Sequence, residues 1–277
     1  MVFLWILFIL TLLIFLYLAS LRCRWGNPKM RRFTRYTYAH RGLHGNGAPE
    51  NSLKAFSRAA DHGFGSELDV HLSKDGRLVI MHDENLFRTV GVDANISDMT
   101  AKGLAQLTLS GSREPIPYLE QVAAIYQRAD LPLIIELKPN KNRRKLVRAV
   151  LKCLGRYPKL RFCLESFDPL AMFWVRVYAP KIVRGQLSSD LFHEPTEGMP
   201  RIVGFFLRYL MLNFLSKPDF IAYEYKDRNN LSLRLCHWLY DVQEVNWTVR
   251  NRTQAAKAQR EKHIIIFEDF IPNVPQG

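Results

Sequence analysis

The sequence predicts an α/β fold: a closed (β/α)8 barrel of the TIM type, with a segment inserted after the third strand and one transmembrane helix before the first. Three observations predict it. From residue 36 onward, short apolar runs rich in β-branched residues alternate with helical patterns. The roughly 240 residues of this alternation suffice for eight strand–helix units. The chain also opens with a single apolar run that contains no charged side chain.

The opening run, from Val2 to Leu21, is long enough to cross a bilayer as a helix, because about twenty residues span the ~30 Å hydrocarbon core. A cleaved signal peptide is the alternative. The run exceeds the usual ~7–15 apolar residues, no Lys or Arg precedes it, and no small-residue cleavage site follows. We therefore expect a retained anchor over residues 1–21. All flanking basic residues follow it, so the positive-inside rule predicts a single-pass protein of the cell membrane with residues 22–277 in the cytoplasm.

The composition is that of a folded globular chain, with 48% hydrophobic and 23% charged residues and a net charge of +13. Residues 1–35 hold six of the basic residues and no acidic one. This concentration predicts a solvated basic juxtamembrane linker over residues 22–36, attracted to anionic lipid headgroups. It does not indicate nucleic-acid binding, because the basic cluster adjoins the anchor and no nucleic-acid module is recognisable.

The four cysteines match no zinc, redox or disulfide spacing, which favours a reducing compartment. Cys23 follows the apolar run, and we interpret it as an ordinary free thiol rather than a lipidation site.

Nine candidate strands alternate with six candidate helices in the domain over residues 37–277. The strands are Thr37–Arg41, Glu67–Leu72, Leu78–His82, Leu133–Leu137, Arg161–Ser166, Ile182–Gln186, Asp219–Tyr225, Val242–Val249 and Ile264–Glu268. The helices are Ser52–His62, Tyr118–Arg128, Arg143–Arg156, Pro169–Tyr178, Leu231–Leu239 and Gln254–Glu261. A doubly wound open sheet is the alternative, but no Gly-rich dinucleotide or phosphate-binding loop supports it.

The second and third strands are separated by only five residues, which is too short for a crossover helix, so they should form a hairpin. The barrel then keeps eight strands. We expect Leu72 to pair near Arg77, Asp69 near Ile80, and Glu67 near His82. Because side chains alternate along a strand, this register places Glu67, Asp69 and His82 on one face.

Two segments are longer than a barrel requires, residues 84–116 and residues 187–218. Segments that follow strand carboxyl ends build the active-site rim of such barrels. Within the second, the apolar stretch from Ile202 to Leu215 has Arg201, Gly204 and Arg208 on one helical face. We interpret it as a buried barrel helix in preference to an interfacial helix beside the site.

Four clusters at predicted strand ends carry the candidate chemistry. Glu67 and Asp69 share a strand face, where two ionised carboxylates need a cation or a shared proton. His40 and His82 each follow an apolar run and can exchange protons near neutral pH. Glu136 ends another apolar strand beside Lys138, a costly position unless the charges are paired or bind a ligand. Taken singly, each also fits a structural role, and Asn51 or Ser52 fits a helix cap.

Taken together, the motifs are specific. His-Arg-Gly at residue 40, Pro-Glu-Asn at 49, Glu-x-Asp-Val at 67, Lys-Asp-Gly at 74, His-Asp at 82 and Glu-x-Lys-Pro at 136 occur in this order. With Ser166-Phe167 and Trp247-Thr248-Val249, the pattern resembles the glycerophosphodiester phosphodiesterase family from Tyr36 to about Pro272. Ser52 replaces the commoner Thr. The end reads Glu268-Asp269 where many members have Thr-Asp, which leaves the role of both residues open.

The resemblance implies a role for each matching position. It implies that His40 and His82 are the acid–base pair, and that Glu67, Asp69 and Glu136 bind one divalent cation, Mg²⁺ or Ca²⁺. It implies that the substrate is bound by four residues: Arg41 and Lys138 at the phosphate, and Phe167 and Trp247 around the mouth of the barrel.

The implied reaction is metal-dependent hydrolysis of glycerophosphodiesters to glycerol 3-phosphate and an alcohol. Two alternatives stay open: lysophospholipase D-type hydrolysis of membrane lysophospholipids to lysophosphatidate, and a non-catalytic, membrane-tethered lipid-binding barrel. The predicted partners are a small-molecule or lipid phosphodiester and the membrane. The identity of the metal, the headgroup and acyl-chain preference and the oligomeric state stay open.

Overall fold

Eight parallel strands close into a barrel in the computed structural model, which describes residues 1–194 and 199–272. The predicted fold class is therefore confirmed. The first barrel strand pairs with the second and with the last, which closes the sheet and leaves the barrel without an edge. The strands are β1 Tyr38–Ala39, β2 Gly65–Leu72, β3 Leu78–Ile80, β4 Pro132–Leu137, β5 Arg161–Ser166, β6 Arg184–Ser188, β7 Phe220–Glu224, β8 Gln243–Val249 and β9 Ile264–Phe267.

Helices cover the outside of the barrel. In the described part of the chain they are α1 Val2–Ser20, α2 Leu53–Asp61, α3 Phe87–Val90, α4 Ala101–Leu104, α5 Leu119–Ala129, α6 Arg143–Leu154, α7 Pro169–Tyr178, α8 Arg201–Arg208, α9 Asn213–Ser216, α10 Leu231–Tyr240 and α11 Arg252–Arg260. The six predicted barrel helices correspond to α2, α5, α6, α7, α10 and α11, with ends that differ by at most two residues.

The strands alternate between an inner and an outer core, as their period of two requires. On β4, Leu133 and Ile135 pack outward against the surrounding helices, whereas Ile134 packs inward. The inner core includes Phe220, which lies against Gly185 of the neighbouring strand; a Cβ on Gly185 would come within 2.1 Å of the Phe220 ring. Side chains thus fill the amino-terminal half of the barrel.

β2 and β3 form the predicted hairpin, but the predicted register is wrong by one residue. Leu72 pairs with Leu78, not with Arg77. The loop holds three residues between Ser73 and Arg77, and Gly76 adopts a positive φ of 85° that fixes this geometry. By this register His82 would oppose Leu68 and face away from Glu67. Because β3 ends at Ile80 and not at His82, the chain leaves the ladder before that point and His82 is free to turn inward.

The long segment after β3 has a small core of its own. Short helices α3 and α4 and a 3-10 turn, Ile96–Asp98, bury Leu86, Ile96, Leu104 and Leu109 beneath the hairpin. The segment is therefore packed onto the rim of the barrel.

Residues 22–36 do not form the solvated linker that the charge pattern predicted. A 3-10 helix, Pro28–Arg32, places Met30 and Phe33 in the inner core beneath Tyr38, so the segment closes the amino-terminal end of the barrel. Arg24 pairs with Asp219 at 3.2 Å. The basic side chains interleave with apolar ones in this segment, and the apolar ones decide its position because they remove more surface from water than the exposed arginines do.

The apolar stretch after β6 is also placed differently from the preferred interpretation of a buried helix. Gly204 of α8 is buried against the Leu191 carbonyl and Leu207 is buried, but Ile202 and Val203 are 63% and 37% exposed. The Ser188 hydroxyl donates to the Leu207 carbonyl at 2.8 Å, and Arg208 pairs with Asp190. α8 is therefore a half-buried helix on the rim of the barrel.

We expect Gly185→Ala to lower the free energy of unfolding by about 1–3 kcal/mol, because the new methyl group would displace the Phe220 ring inside a closed barrel. Gly103→Ala in α4 is the control, since its Cβ would meet only ordinary contacts at 3.5 Å and alanine favours helix. Thermal unfolding of the purified full chain in detergent measures both. A melting temperature of Gly185→Ala equal to that of Gly103→Ala would contradict this packing.

Candidate active site

Three carboxylates form a row across neighbouring strands at the carboxyl-terminal end of the barrel. The register pairs Asp69 of β2 with Glu136 of β4, and Glu136 with Glu165 of β5. All three are buried. Side chains two residues apart on a strand face the same way, so each of these carboxylates points into the barrel. The row lies next to the inner core, on the side of the carboxyl-terminal end.

Glu67 joins this row from β2. Carboxylate oxygens of Glu67, Asp69 and Glu136 lie within 4.8 Å of one another, and all three residues are at least 94% buried. Burial raises the pKa of Glu67 well above its ordinary value, and the charges of Asp69 and Glu136 raise it further. Burial likewise raises the pKa of Glu136 and of Glu165.

Two cationic side chains offset part of this negative charge. The Lys138 ammonium lies 3.3 Å from Asp69 and 3.1 Å from Glu136. The Arg41 guanidinium lies 3.6 Å from Asp69, and the Arg41 backbone N–H donates to Glu67 at 3.1 Å. Burial alone would raise the pKa of Asp69, but Lys138, His82 and Arg41 lower it. Four buried carboxylates therefore share two fixed cations.

His40 faces this cluster from the end of β1. Its Nε2 is 3.9 Å from Glu67, and its Nδ1 is 3.3 Å from Glu268. Glu268 also contacts His44 Nε2 at 3.1 Å. Burial alone would raise the pKa of Glu268, but these two imidazoles hold it well below its usual range, so Glu268 is an acceptor and His40 Nδ1–H donates to it. Burial lowers the pKa of His40, which keeps the imidazole neutral near pH 7.

His82 lines the same cavity from the segment that follows β3. Its Nδ1 is hydrogen-bonded to the carboxylate of Asp83, and this bond lowers the pKa of Asp83. The Arg88 guanidinium, in the inserted segment, donates a hydrogen bond to Asp83 and two to Glu50, at 2.7 and 3.0 Å. Glu50 in turn accepts from Arg41 at 3.0 Å. This chain of ion pairs fixes His82 and Arg41 relative to each other.

Asn51 supports the cluster from the first loop of the barrel. Its side-chain amide donates to Asp69 at 2.9 Å, and it is fully buried. The helix cap is Ser52, whose hydroxyl accepts from the Ala55 N–H at 3.1 Å. The sequence left open whether Asn51 or Ser52 caps the helix. Ser52 does so, and Asn51 binds Asp69 instead.

The cluster opens into a cavity of about 230 Å³ at the carboxyl-terminal end of the barrel. Its wall contains His40, Arg41, Glu67, His82, Glu136, Glu165, Phe167, Leu187, Glu224, Trp247, Thr248, Arg250 and Ile266. Phe167 and Trp247 pack edge to face, with ring centroids 5.7 Å apart, and form an apolar side of the cavity. The Trp247 indole N–H is buried and has no hydrogen-bond partner among residues 1–194 and 199–272.

The donor set fits a hard divalent cation. Mg²⁺ and Ca²⁺ bind carboxylate oxygens, and three such oxygens converge here. Glu165 Oε2 is also buried without a hydrogen-bond donor in the described part of the chain. A cation at this point would lower the repulsion that raises the pKa values of Glu67, Glu136 and Glu165. The spacing of these carboxylate oxygens is compatible with either Mg²⁺ or Ca²⁺.

A second triad of possible ligands lies outside the barrel wall. His237, Glu244 and His263 bring their donor atoms within 4.8 Å of one another between β8 and its flanking helices. His237 already binds Glu244 at 2.8 Å, and the Arg228 guanidinium lies 3.9 Å from the same carboxylate. The protein itself supplies the positive charge that Glu244 needs, so we interpret this triad as structural.

The structure brings the nine site residues predicted from the sequence to one end of the barrel, although the predicted hairpin register would not have done so for His82. Sequence reasoning did not name Glu165, gave Glu50 and Asn51 no role in the site beyond their motif, and did not predict the pairing of Glu268 with His40. Glu165 carried the same signal as Glu136, a carboxylate near the end of an apolar strand. No sequence signal predicts the contacts of Glu50 and Glu268, because these contacts depend on how loops that are distant in the sequence pack together.

Comparison with protein families gives one match, to the model described as the glycerophosphoryl diester phosphodiesterase family, over residues 40–204. The chain is 34% identical over 168 residues to a glycerophosphodiester phosphodiesterase of Bacillus altitudinis, covering 57% of this chain and 68% of that protein. It is 34% identical over 142 residues to the human protein named lysophospholipase D GDPD1, covering 47% of this chain and 44% of that protein.

Solved structures share the fold. A phosphodiesterase of Oleispira antarctica, in complex with the product sn-glycerol-3-phosphate, superposes with a TM-score of 0.69 at 24% identity, covering 87% of this chain and 94% of that one. A glycerophosphodiester phosphodiesterase of Thermotoga maritima gives a TM-score of 0.63 at 25% identity, with coverage of 83% and 93%.

We expect Glu165→Gln to stabilise the metal-free protein by about 1–3 kcal/mol at about pH 7.5. The folded-state pKa of Glu165 is raised above its ordinary value of 4.5, so the ionised form destabilises the fold and the neutral amide removes that cost. Thermal unfolding of the full chain in chelator measures the difference.

The gain should shrink toward pH 4.5, where the carboxyl of the unfolded chain also becomes protonated. Asp61→Asn, at an exposed carboxylate that ends α2, should leave the melting temperature unchanged at both pH values. A gain that does not depend on pH would show that the raised pKa of Glu165, which burial and the neighbouring carboxylates cause, is not its origin.

Proposed function

Since the chain belongs to the glycerophosphoryl diester phosphodiesterase family and is a glycerophosphodiester phosphodiesterase, we propose that it works with one divalent cation and with His40 and His82 as its acid–base pair. One observation supports this most: the carboxylates of Glu67, Asp69 and Glu136 converge within 4.8 Å on a cavity that both histidines line. A lipid-binding barrel without catalysis has no need for this combination.

Electrostatic stabilisation of the phosphodiester is the first requirement of the reaction. Negative charge builds on the non-bridging oxygens as the phosphorus is attacked, and preorganised cations stabilise it. Arg41 matches two phosphate oxygens with its planar guanidinium, and Lys138 supplies a point charge beside it. When bound by Glu67, Asp69 and Glu136, a divalent cation would act as a Lewis acid on the same oxygens.

The two histidines divide the proton transfers. His40 is neutral near pH 7 and holds its Nδ1–H on Glu268, so its Nε2 is free to accept a proton from the nucleophile. His82 holds Nδ1–H on Asp83, and its Nε2 would donate a proton to the leaving alkoxide. Glu268 and Asp83 act as positioning residues that fix each imidazole.

The family resemblance implies a two-step course. The glycerol hydroxyl next to the phosphate attacks phosphorus and loses its proton to one histidine, while the other protonates the departing alcohol. This step forms one P–O bond, breaks another and leaves a cyclic phosphate. Water then opens the ring with the proton roles reversed, which returns both imidazoles to their starting state. The net reaction consumes one water and yields glycerol 3-phosphate and an alcohol.

A lysophospholipid is the second candidate substrate, and then the products are lysophosphatidate and the headgroup alcohol. α1 supports it, because in the described part of the chain this is the one helix long and apolar enough to cross a membrane. We propose that residues 1–21 anchor the protein in the cell membrane by a single span, and that the barrel over residues 37–277 lies in the cytoplasm. The similarity to a human lysophospholipase D also supports this substrate.

We expect His40→Ala and His82→Ala each to lower kcat by about 10²–10⁴, because each removes one proton transfer. Turnover of glycerophosphocholine by the purified full chain measures this, with circular dichroism to show that the fold is kept. His62→Ala, at an exposed histidine after α2, is the matched control and should keep wild-type turnover. Wild-type kcat in the His82 variant would refute its assignment.

We expect a chelator to abolish turnover and added Mg²⁺ or Ca²⁺ to restore it. Glu67→Gln and Glu136→Gln should raise the cation concentration that gives half-maximal activity by at least about tenfold. Glu244→Gln, in the triad outside the barrel, should leave that concentration unchanged. Full turnover in chelator by the wild type would rule out the metal assignment, and an equal shift in all three variants would rule out this site.

A further inference from the structure

The direction in which α1 leaves the barrel can be read from its contacts with α10. α10 follows the carboxyl end of β7 and leads to the amino end of β8, so it runs from the catalytic end of the barrel to the opposite end. Tyr17 contacts Ser232 in the first turn of α10 at 2.7 Å, and the Leu21 carbonyl accepts from Cys236 one turn later at 3.6 Å. α1 therefore runs the same way, and residues 2–16 project beyond the catalytic end.

No spacer separates this projecting helix from the barrel. Leu16 is 53% exposed, whereas Leu21, five residues later, is fully buried among side chains of α10 and β7. Because only five residues separate the exposed Leu16 from the buried Leu21, lipid headgroups at the base of the projecting helix would lie close to the catalytic end.

Exposed apolar side chains surround that end. Leu170 opens α7 and is 40% exposed, and Leu231 opens α10 and is 57% exposed. Ile202 and Val203 of α8 lie on the same rim, which α8 contacts at the ends of β6 and β7. Each position follows the carboxyl end of a barrel strand. Exposed apolar side chains also occur toward the other end, among them Trp25, Val177 and Trp238. The direction of α1, together with these exposed groups, therefore selects the catalytic end as the interaction side.

Basic side chains lie on the same side. The first turn of α6, which follows β4, holds Arg143, Arg144 and Lys145 and no acidic residue. Positive charge at a helix amino terminus opposes the helix dipole, so it does not serve the stability of α6. Asp168 pairs with Arg143, and Arg144 stacks on the Trp174 ring. An anionic lipid surface would compensate the charge of Arg144 and Lys145.

We propose that the catalytic end of the barrel docks on the bilayer that holds its own anchor, so that the phosphodiester headgroup of a lysophospholipid enters the cavity from that leaflet. The cavity of about 230 Å³ holds a headgroup and the glycerol, but an acyl chain must stay outside it. The choice of substrate rests on the proposed function. The docked orientation rests only on the contacts of α1 and the exposed side chains.

Site-specific quenching tests the orientation without any need for activity. Leu231→Cys and Ile202→Cys would carry an environment-sensitive fluorophore on the docking side. Val177→Cys, in the last turn of α7, and Trp25→Cys are controls at exposed apolar positions toward the other end. The four native cysteines are buried, which favours selective labelling.

The full chain is placed in phosphatidylcholine–phosphatidylglycerol vesicles whose acyl chains carry nitroxides. An interfacial side chain enters the bilayer by about 5–10 Å, so we expect labels at Leu231 and Ile202 to lose roughly half of their fluorescence or more, and the controls to lose little. Equal quenching at all four positions, or stronger quenching at Val177 and Trp25, would overturn the docked orientation whatever the enzyme hydrolyses.

A flexible insertion between Leu16 and Tyr17 tests the consequence for the substrate. Ten Gly/Ser residues there free the barrel from its anchor without touching the cavity. We expect hydrolysis of a long-chain lysophospholipid held in the vesicles to fall several-fold, while hydrolysis of soluble glycerophosphocholine stays at the wild-type rate. Unchanged hydrolysis of both would overturn delivery from the leaflet. Failure of the wild type to hydrolyse either would count against the proposed function, and the quenching result would still stand.

Discussion

The repulsion among buried carboxylates at one end of the barrel is the constraint on which the site depends. Asp69, Glu136 and Glu165 are brought into one row by the strand register, and Glu67 joins them. In the part of the chain that the structure describes, Lys138 and Arg41 are the lysine and arginine side chains that pair with this cluster. Such a cluster is costly to bury unless further positive charge arrives. The barrel can hold it because a closed sheet fixes the strand positions against local relaxation.

A chain of ion pairs also links the carboxylate cluster to His82. Arg41 binds Asp69 and Glu50, Glu50 binds Arg88, and Arg88 reaches Asp83 beside His82. The His82 imidazole is therefore positioned through the inserted segment, and the His40 imidazole through Glu268 after the last strand. Parts of the chain more than two hundred residues apart thus determine the positions of these two histidines.

Most of the fold could be predicted from periodicity, because apolar alternation is a local property of strands such as β4 and β5. The candidate site motifs could be located since each ends such a strand. The β2–β3 register was predicted one residue off, because Gly76 sets the loop geometry and periodicity does not report it. The position of residues 22–36 could not be predicted, since charge density is visible in a sequence whereas the space that Met30 and Phe33 fill is a property of the assembled barrel.

The segment that closes the amino-terminal end has a practical consequence for shortened forms of the protein. Cutting at residue 37 would remove the apolar helix α1 but would also take away Met30 and Phe33, exposing Tyr38 and the inner core near the amino-terminal end to water. Cutting just before Leu21 would keep that closure, along with the buried Cys23 and the pairing of Arg24 with Asp219. A fragment without α1 should therefore retain residues 22–36, because this basic segment closes the amino-terminal end of the barrel.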